Sequence, residues 1–532
     1  MKKLFTLLFV AMTALTGMAD TYNGPLHIDI NGTTVDQTTD ITIEKQADGN
    51  YTLKLMNFKF TLGKMTMNVG NIIITDVPAV SNGQTQMLKV KKNIAIKGGS
   101  MDIMLGDVPI DMIGELRDGD FYTNIDIIME KLNQKIKVTF GTAKYQLPNA
   151  GFETYHTATV TEPENPDFPD SELNTASSDE PNYWHSFMSA SGNPALVYMA
   201  GYNPVTFKSD DVRPGSTGKQ SLMLKSINMY IAIANGTITT GRMNTGDYVA
   251  SNTNANYAWS DMSNTDKDAH GDPFYATLYS LPDAMKVWLK FKQGTANAEH
   301  PYATATAIIN DGTEFHEPAP SETTYTNVVG EARNAKIAET GDEWKEFTIP
   351  FTYDAFAQYG AKAKSVLVTL STNADAGKGS DGDLLYVDDL SFVYNAGLKA
   401  ITLTAENGEV FTVDGVNSET KEYTATVPFD VTANNLKAIS DGKGAYVSTT
   451  IADGKATFEI TSNDLATTNV YTLNIKKGNA QGITSGINGA QAVQAQAAGI
   501  YTIDGMRVNA ITKPGLYIVK DANGNVKKVL KK

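Results

Sequence analysis

Residues 384–392 read LLYVDDLSF, with apolar neighbours on both sides of two adjacent carboxylates, Asp388 and Asp389. Side chains alternate across a strand, so regular alternation predicts Leu384, Tyr386, Asp388, Leu390 and Phe392 on one face. Leu385, Val387, Asp389, Ser391 and Val393 then take the other. Whichever face is core, one carboxylate lies among buried neighbours. There it must be paired, hydrogen-bonded or bound to a metal.

The same alternation runs through the rest of the chain. Short runs rich in Thr, Val, Ile and Tyr are separated by turn pairs such as Asp48-Gly49, Asp118-Gly119, Asp453-Gly454 and Asn523-Gly524. No long stretch has helical periodicity. The fold class predicted is all-β, in several sandwich or barrel domains. A length of 532 residues gives room for three or four.

The start, MKKLFTLLFVAMTALTGMAD, has two lysines, an apolar run and small residues at Gly17 and Ala19. It reads as a secretory signal peptide over residues 1–19, which makes the chain an exported protein, at the cell surface or secreted through the periplasm. No later segment supplies the roughly 18 apolar residues of a spanning helix. There is no cysteine, so core burial, with metal as a possible staple, must stabilise the fold. The net charge of −15, from 44 basic and 59 acidic residues, argues against nucleic acid and anionic membrane as partners. It is compatible with divalent cations and neutral glycans.

Residues 20–145 form a first unit, with strands at LHIDI, TDITIEKQ, NYTLKLMNFKF, NIIITDV, FYTNIDIIM and IKVTFGT. Its eight methionines, Met56, Met65 and Met67 among them, suit either irregular core filling or a lumen for a greasy ligand. Residues 146–395 differ, holding all four tryptophans and five of the six histidines. Within them TEPENPDFPDSELNTASSDEPNYWHSF is a proline-broken loop. Residues 397–478 carry a further strand rhythm, 479–498 a Gly/Ala/Gln linker, and 499–532 a basic tail of three alternating segments.

The run YNGPLHIDING, ITIEKQADGNYTLKLMNFKF, VGNIII and IKVTFGT resembles the calycin-like β-barrel domain of exported Gram-negative proteins. In residues 146–395, NAGFE, NYWHSF, RPGSTGKQSLMLKS, EWKEFTIPFTY and LYVDDLSF occur in an order that resembles the carbohydrate metabolism domain abbreviated PCMD, a jelly-roll β-sandwich. Residues 397–478 resemble the immunoglobulin-like or cadherin-like sandwiches of bacterial surface proteins. The tail, with GIYTIDG, GLYIV and a lysine-rich end, resembles the sorting domain of type IX secretion; a terminal hairpin is the plainer reading.

The jelly-roll resemblance also implies a calcium site. Carbohydrate-binding jelly rolls often begin with a sequence like GFE and end with one like VDDL, on strands that lie near each other. Carried onto this chain, Glu153, Asp388 and Asp389 become side-chain ligands of Ca²⁺, and a backbone carbonyl near Lys219 completes the set. Oxygen ligands from distant strands suit that ion, and it would staple the domain. A salt bridge or a hydrogen-bonded turn without metal is the rival reading. HExxH, CxxC and a close histidine pair are all missing from the sequence, which speaks against zinc.

A sugar needs aromatic faces and hydrogen-bonding neighbours. In DAMKVWLKFKQ the apolar residues alternate onto one face, leaving Trp288 among Lys286, Lys290 and Lys292. Tyr183, Trp184 and His185 follow the proline-rich loop, and Tyr257 and Trp259 lie in NANYAWSDM. These six are the candidate carbohydrate-binding residues, with core packing as the alternative for each. A glycoside hydrolase needs two carboxyls at a set separation, and no spacing singles out a pair among the many present. No Gly-x-Ser-x-Gly elbow is present either. The function expected is non-catalytic glycan binding; a glycoside hydrolase and an adhesin or scaffold without sugar specificity are the alternatives.

Overall fold

The computed structural model describes residues 19–100, 107–129, 133–168, 171–230, 232–485, 499–502, 507–508, 511, 514–520 and 526–531. The expected signal peptide and the Asn523-Gly524 turn lie outside them. The chain is all-β and multi-domain. Among the described residues one short α-helix, Pro194–Tyr202, interrupts the strands; Asn193 caps it by accepting from the Ala195 amide, and Pro194 opens it. Among the described residues no helix is long and apolar enough to cross a membrane. The described residues group into two compact units. The first takes everything up to Ala396 together with Gly442–Tyr446 and Thr461–Thr468, and the second takes the remainder.

The first unit opens with a nine-stranded antiparallel sheet in which Ala19–Ile30 pairs with both Thr33–Lys45 and Gln134–Phe140. A bridge between Asn71 and Lys97 links Met65–Val77 to the segment after Gln86–Ala95. Inward positions are aliphatic or aromatic: Leu26, Ile41, Leu53, Phe58, Ile110 and Phe140 line a residual space of about 70 Å³. Ligand pockets run to roughly 300–1,000 Å³, so a greasy cargo has no room, and that expectation is corrected. Met112 fills the core and Met67 packs against it, while Met56 and Met65 are exposed.

One charge pair is fully buried. The carboxylate of Glu115 takes the Arg117 Nε–H at 2.7 Å and hydroxyl donors from Thr85, Tyr145 and Tyr446. The Arg117 guanidinium also donates to the Thr142 carbonyl and stacks within 4.9 Å of the Tyr145 ring and 5.6 Å of the Tyr279 ring. Because Tyr279 belongs to the sandwich that follows, this network fastens barrel to sandwich within the unit.

That sandwich packs two sheets face to face. One has the order Thr206–Ser209, Ser221–Lys225, Leu384–Val393, Ala284–Lys292, Lys345–Pro350. The other runs Thr237–Thr239, Ser365–Ser371, Ala303–Asn310, Val328–Ile337. Leu222, Val287, Leu289, Leu385 and Val387 of the first meet Ala303, Ala305, Ala307, Val368 and Leu370 of the second in one core. The small alanines let the two sheets approach closely.

Here the regular alternation expected across LLYVDDLSF fails, for a local reason. Asp389 is in the left-handed region at φ 43°, and the register slips between Trp288↔Asp388 and Lys286↔Ser391. The strand therefore carries a β-bulge, which inserts one residue and restarts the alternation. Leu385 and Val387 face the core before the bulge, and Leu390 and Phe392 face it after. Two adjacent carboxylates are accommodated because one of them is the inserted residue.

The second unit holds strands of two four-stranded sheets. One includes Leu398–Thr404 beside Val410–Val413, and the other includes Glu422–Val427 parallel to Thr468–Lys477. Ile483–Ser485 pairs with Val410–Val413, so the sheet extends past residue 478 into the expected linker. At Asp453-Gly454 both residues have positive φ, 50° and 73°, as a tight hairpin turn requires. Four short strands between Gly499 and Lys531 form a separate antiparallel sheet.

Candidate functional site

The sandwich buries one face of its Thr237–Thr239, Ser365–Ser371, Ala303–Asn310, Val328–Ile337 sheet and leaves part of the other face open. At one end the outer face is covered by Met243, Ala258, Ile308, Phe315 and Leu367 in a small apolar cluster. At the other it floors a cleft of about 580 Å³. Period-two alternation explains the floor: between the core-facing alanines stand Thr304 and Thr306, and across the ladder Thr237, Thr369, Ser371 and Arg333. The walls bring Tyr248 and Tyr257, the amides of Asn235, Asn244 and Asn256, and Met199 from the helix.

Several of these groups are held in place. The Asn256 side chain accepts from the Gly246 and Asp247 amides and donates to the Asp247 and Val249 carbonyls, which fixes the loop bearing Tyr248. The Tyr257 ring stacks on His316 at 3.7 Å and 6°. Arg333 pairs with Glu317 at 2.6 Å and also with Glu331. Two buried polar atoms on lining residues, Asn235 Oδ1 and Thr245 Oγ1, have no protein partner. Carboxylates are present, but each is engaged. Glu317 meets Arg333, Asp375 meets His300 at 2.7 Å, and Asp247 lies below its ordinary pKa because it accepts from the Val249 amide and from Asn252. None has the apolar, unpartnered surroundings that keep a general acid protonated.

Of the six expected sugar-binding residues, Tyr257 alone is among those lining this cleft. Trp184 is wholly buried, with its indole 5.0 Å from Phe152 and Nε1–H on the Pro148 carbonyl; it is a core residue, and its expected stacking role is corrected. His185 is equally buried, beside Phe274. Tyr183 is 39 % exposed, in a strained turn at φ 68°. Trp259 is half-buried and meets His316 edge-on. Trp288 is half-buried too, and the Arg213 guanidinium lies 5.4 Å from its ring, covering the face a sugar would need. The lysine face around it is also engaged: Lys290 is paired to Asp211, which takes the Trp344 Nε1–H as well. Tyr248, 62 % exposed at the cleft, was missed. Its signal is the asparagine-rich run NTGDYVASNTNANYAW, in which tyrosines stand among amides on a loop.

The ends of the sandwich do meet. The Leu390 amide donates to the Ala150 carbonyl, and a Cβ on Gly151 would stand 3.2 Å from Asp389 Oδ1. Asp389 is paired with Arg213 Nε at 2.5 Å, and the Arg213 amide donates to Asp388 Oδ2. Glu153 accepts from the Lys219 and Gln220 amides, so the observed contact of Lys219 is a donor and not the expected carbonyl. Gly218 lets that loop approach: a Cβ there would overlap Glu153 Oε1. One oxygen, Asp388 Oδ1, is buried without a partner. Burial, reinforced by neighbouring Asp389, pushes the Asp388 carboxyl up to about 6 against the Arg213 amide that lowers it.

The expectation that no histidine pair exists came from sequence spacing alone. His156 and His185 are brought to the same carboxylate, Asp268, each at 3.5 Å.

Residues 18–143 match the family model of the calycin-like beta-barrel domain, less than half of the chain. No curated protein matches it. Among solved structures, one described as "Structure of PNGF-II in C2 space group" aligns over 73 % of this chain and 70 % of its own, at 8 % identity and a TM-score of 0.12. A superposition that loose carries no argument.

Proposed function

We propose that this is an exported, non-catalytic glycan-binding protein and that a saccharide occupies the sheet-floored cleft of the sandwich. The observation that carries the reading is the content of that cleft. About 580 Å³ is enclosed by a mainly apolar wall, Phe187, Leu196, Met199, Met229 and Ile233 among it, over a floor of hydroxyls and a guanidinium with amides at its sides; two tyrosines stand at the wall, and two buried polar atoms lack a protein partner. Aromatic faces stack on pyranose C–H groups while threonine and asparagine side chains address hydroxyls. The engaged state of Glu317, Asp375 and Asp247 favours binding over hydrolysis. Export rests on the basic and apolar first residues, and surface delivery on the likeness of residues 499–532 to a sorting tail.

Calcium at the Glu153–Asp388–Asp389 end belongs to the same proposal. The open, buried Oδ1 of Asp388 supports it; the Arg213 guanidinium already on Asp389 is the competing counter-charge.

A glycan array probed with the mature chain tests the sugar reading. Binding should be seen, and should be lost in Tyr257→Ala and Arg333→Ala while Trp288→Ala binds normally. No binding to any glycan, at native fold, favours an adhesin or scaffold; turnover of a bound glycan favours the hydrolase. Calcium is tested by add-back to chelator-treated protein: Ca²⁺ should raise the melting temperature of the wild type and leave that of Asp388→Asn unchanged.

A further inference from the structure

Three elements of the sandwich converge on a second, wholly different cluster. In the hairpin of Tyr155–Thr161 with Thr175–Pro181, His156 stands directly across the ladder from Glu180. His185 follows shortly after, pinned by backbone hydrogen bonds to Thr239 in both directions. The loop 266–272 supplies Asp268, whose Oδ1 accepts from the His270 and Asp272 amides and so turns Oδ2 inward. His156 Nε2 is 3.5 Å from Asp268 Oδ2 and 3.7 Å from Glu180 Oε2, and His185 Nε2 is 3.5 Å from Asp268 Oδ2. The side chains of Glu180, His185 and Asp268 have no exposed surface, and that of His156 has 8 %.

These separations are too long for hydrogen bonds. His156 Nε2, both ring nitrogens of His185 and Asp268 Oδ2 all lack a partner although buried. Leaving His156 Nε2 and His185 Nε2 both directed at Asp268 Oδ2, next to a second carboxylate, is costly unless a cation lies among them. The spacing of His156, Glu180 and Asp268 suits one. A tetrahedral Zn²⁺ with bonds of about 2.0–2.2 Å sets its ligand atoms about 3.3–3.6 Å apart.

The surrounding hydrogen bonds prepare the same atoms. His156 Nδ1 meets Asn182 Oδ1 at 3.1 Å, which places the proton on Nδ1 and the lone pair on Nε2. Glu180 is held by the Ser186 amide and the Ser189 hydroxyl. His270 stacks on His156 and is itself tied to Asp272 at 3.0 Å.

We propose that His156, Glu180 and Asp268, whose ligand atoms all lie within 4.8 Å of one another, bind one Zn²⁺ of structural role, with His185 beside Asp268 as the nearest further donor; the ion staples the proline-rich loop and the loop 266–272 to the sandwich in a chain without cysteine. Two carboxylates neutralise the ion, and the imidazole favours a first-row divalent metal over Ca²⁺.

The test uses the full mature chain, stripped with a chelator and kept in Ca²⁺-containing buffer so that the Asp388 end is not the source of the signal. After equilibration with Zn²⁺ and gel filtration, elemental analysis should find one zinc per chain, and Co²⁺ in its place should give the intense visible bands of a four-coordinate ion. Asp268→Asn and His156→Gln should lose both. If either variant misfolds, the stripped wild type decides: Zn²⁺ should raise its melting temperature, and no rise overturns the proposal. So does a wild type that retains no zinc, or an Asp268→Asn chain that retains it in full.

Discussion

The barrel and the sandwich apply one rule, alternation across a strand, to opposite ends. In the barrel the inward positions are mostly large and apolar, Thr123 and Lys54 being exceptions, and the enclosed space shrinks to about 70 Å³. In the sandwich one central strand of a sheet faces the core with Ala303, Ala305 and Ala307, and the other face of that sheet keeps threonines, a serine and an arginine over about 580 Å³. Closing a small sheet on itself uses up its one apolar face; stacking two sheets leaves outer faces to be specialised. The difference teaches where to look for a ligand: on the face that retains hydrogen-bonding side chains, not where aromatic rings are densest. Trp184 illustrates the second half, since its ring serves the core.

Breaking the barrel's one buried charge should have the largest effect. Glu115→Ala removes the buried counter-ion of Arg117 and leaves the guanidinium, which has no exposed side-chain surface, only the partly exposed Asp120 at 3.3 Å. A loss of about 3–5 kcal/mol is expected in urea unfolding, and a loss below about 1 kcal/mol would show that water reaches the guanidinium. Trp184→Ala, in the sandwich core, is expected to cost a comparable 3–5 kcal/mol through the cavity left beside Phe152. Its glycan binding, measured below the unfolding range, should match the wild type. A selective loss of binding at unchanged stability would return Trp184 to the ligand site.

Tyr257→Ala sharpens the comparison from the other side. The ring is half-buried and lines the cleft, so stability should change by less than about 1 kcal/mol. Affinity for a bound glycan should fall about tenfold or more, the effect of losing one stacking face. Equal affinity in isothermal titration would move the sugar away from this cleft.

Much of this architecture is legible in the sequence, and the misses have physical causes. The all-β class and the Asp453-Gly454 turn follow from local chemistry, period two and φ > 0 residues; the meeting of the sandwich ends is implied by the resemblance to carbohydrate-binding jelly rolls. The bulge at Asp389 is not legible, because a one-residue insertion depends on the partner strand, here the Lys286–Trp288 stretch, and leaves no mark of its own. The covering of Trp288 by Arg213 is a contact between residues 75 apart in sequence, by the difference of their numbers. The same holds for His156, His185 and Asp268, where strand pairing and two loops do what a spacing motif does in other proteins. A chain-end motif such as GFE with VDD is readable because both halves are short and lie at the ends of the module. A cleft floored by alternate residues of four strands is spread too thinly to read.

The smallest effect expected concerns Asp388, the carboxylate that regular alternation could not place. Its folded-state pKa, raised to about 6 by burial, lies above the roughly 3.9 of an unfolded aspartate. Between those values the folded state binds more protons than the unfolded one, so stability is greatest below the unfolded pKa and is lost as pH rises through about 6. Two units would correspond to about 3 kcal/mol at full strength, a figure that already contains the relief from the Arg213 amide and guanidinium; solvent screening reduces it, and about 1 kcal/mol is the expected size. In calcium-free buffer Asp388→Asn should therefore be more stable than wild type at pH 7.5, and its unfolding free energy should not decline between pH 5 and pH 7. With Ca²⁺ present the order should reverse, because the ion then makes the ionised oxygen an asset and the amide a poor substitute. A variant less stable than wild type in both buffers would mean that the Arg213 amide and guanidinium already satisfy the ionised pair, and that the buried Oδ1 needs nothing further.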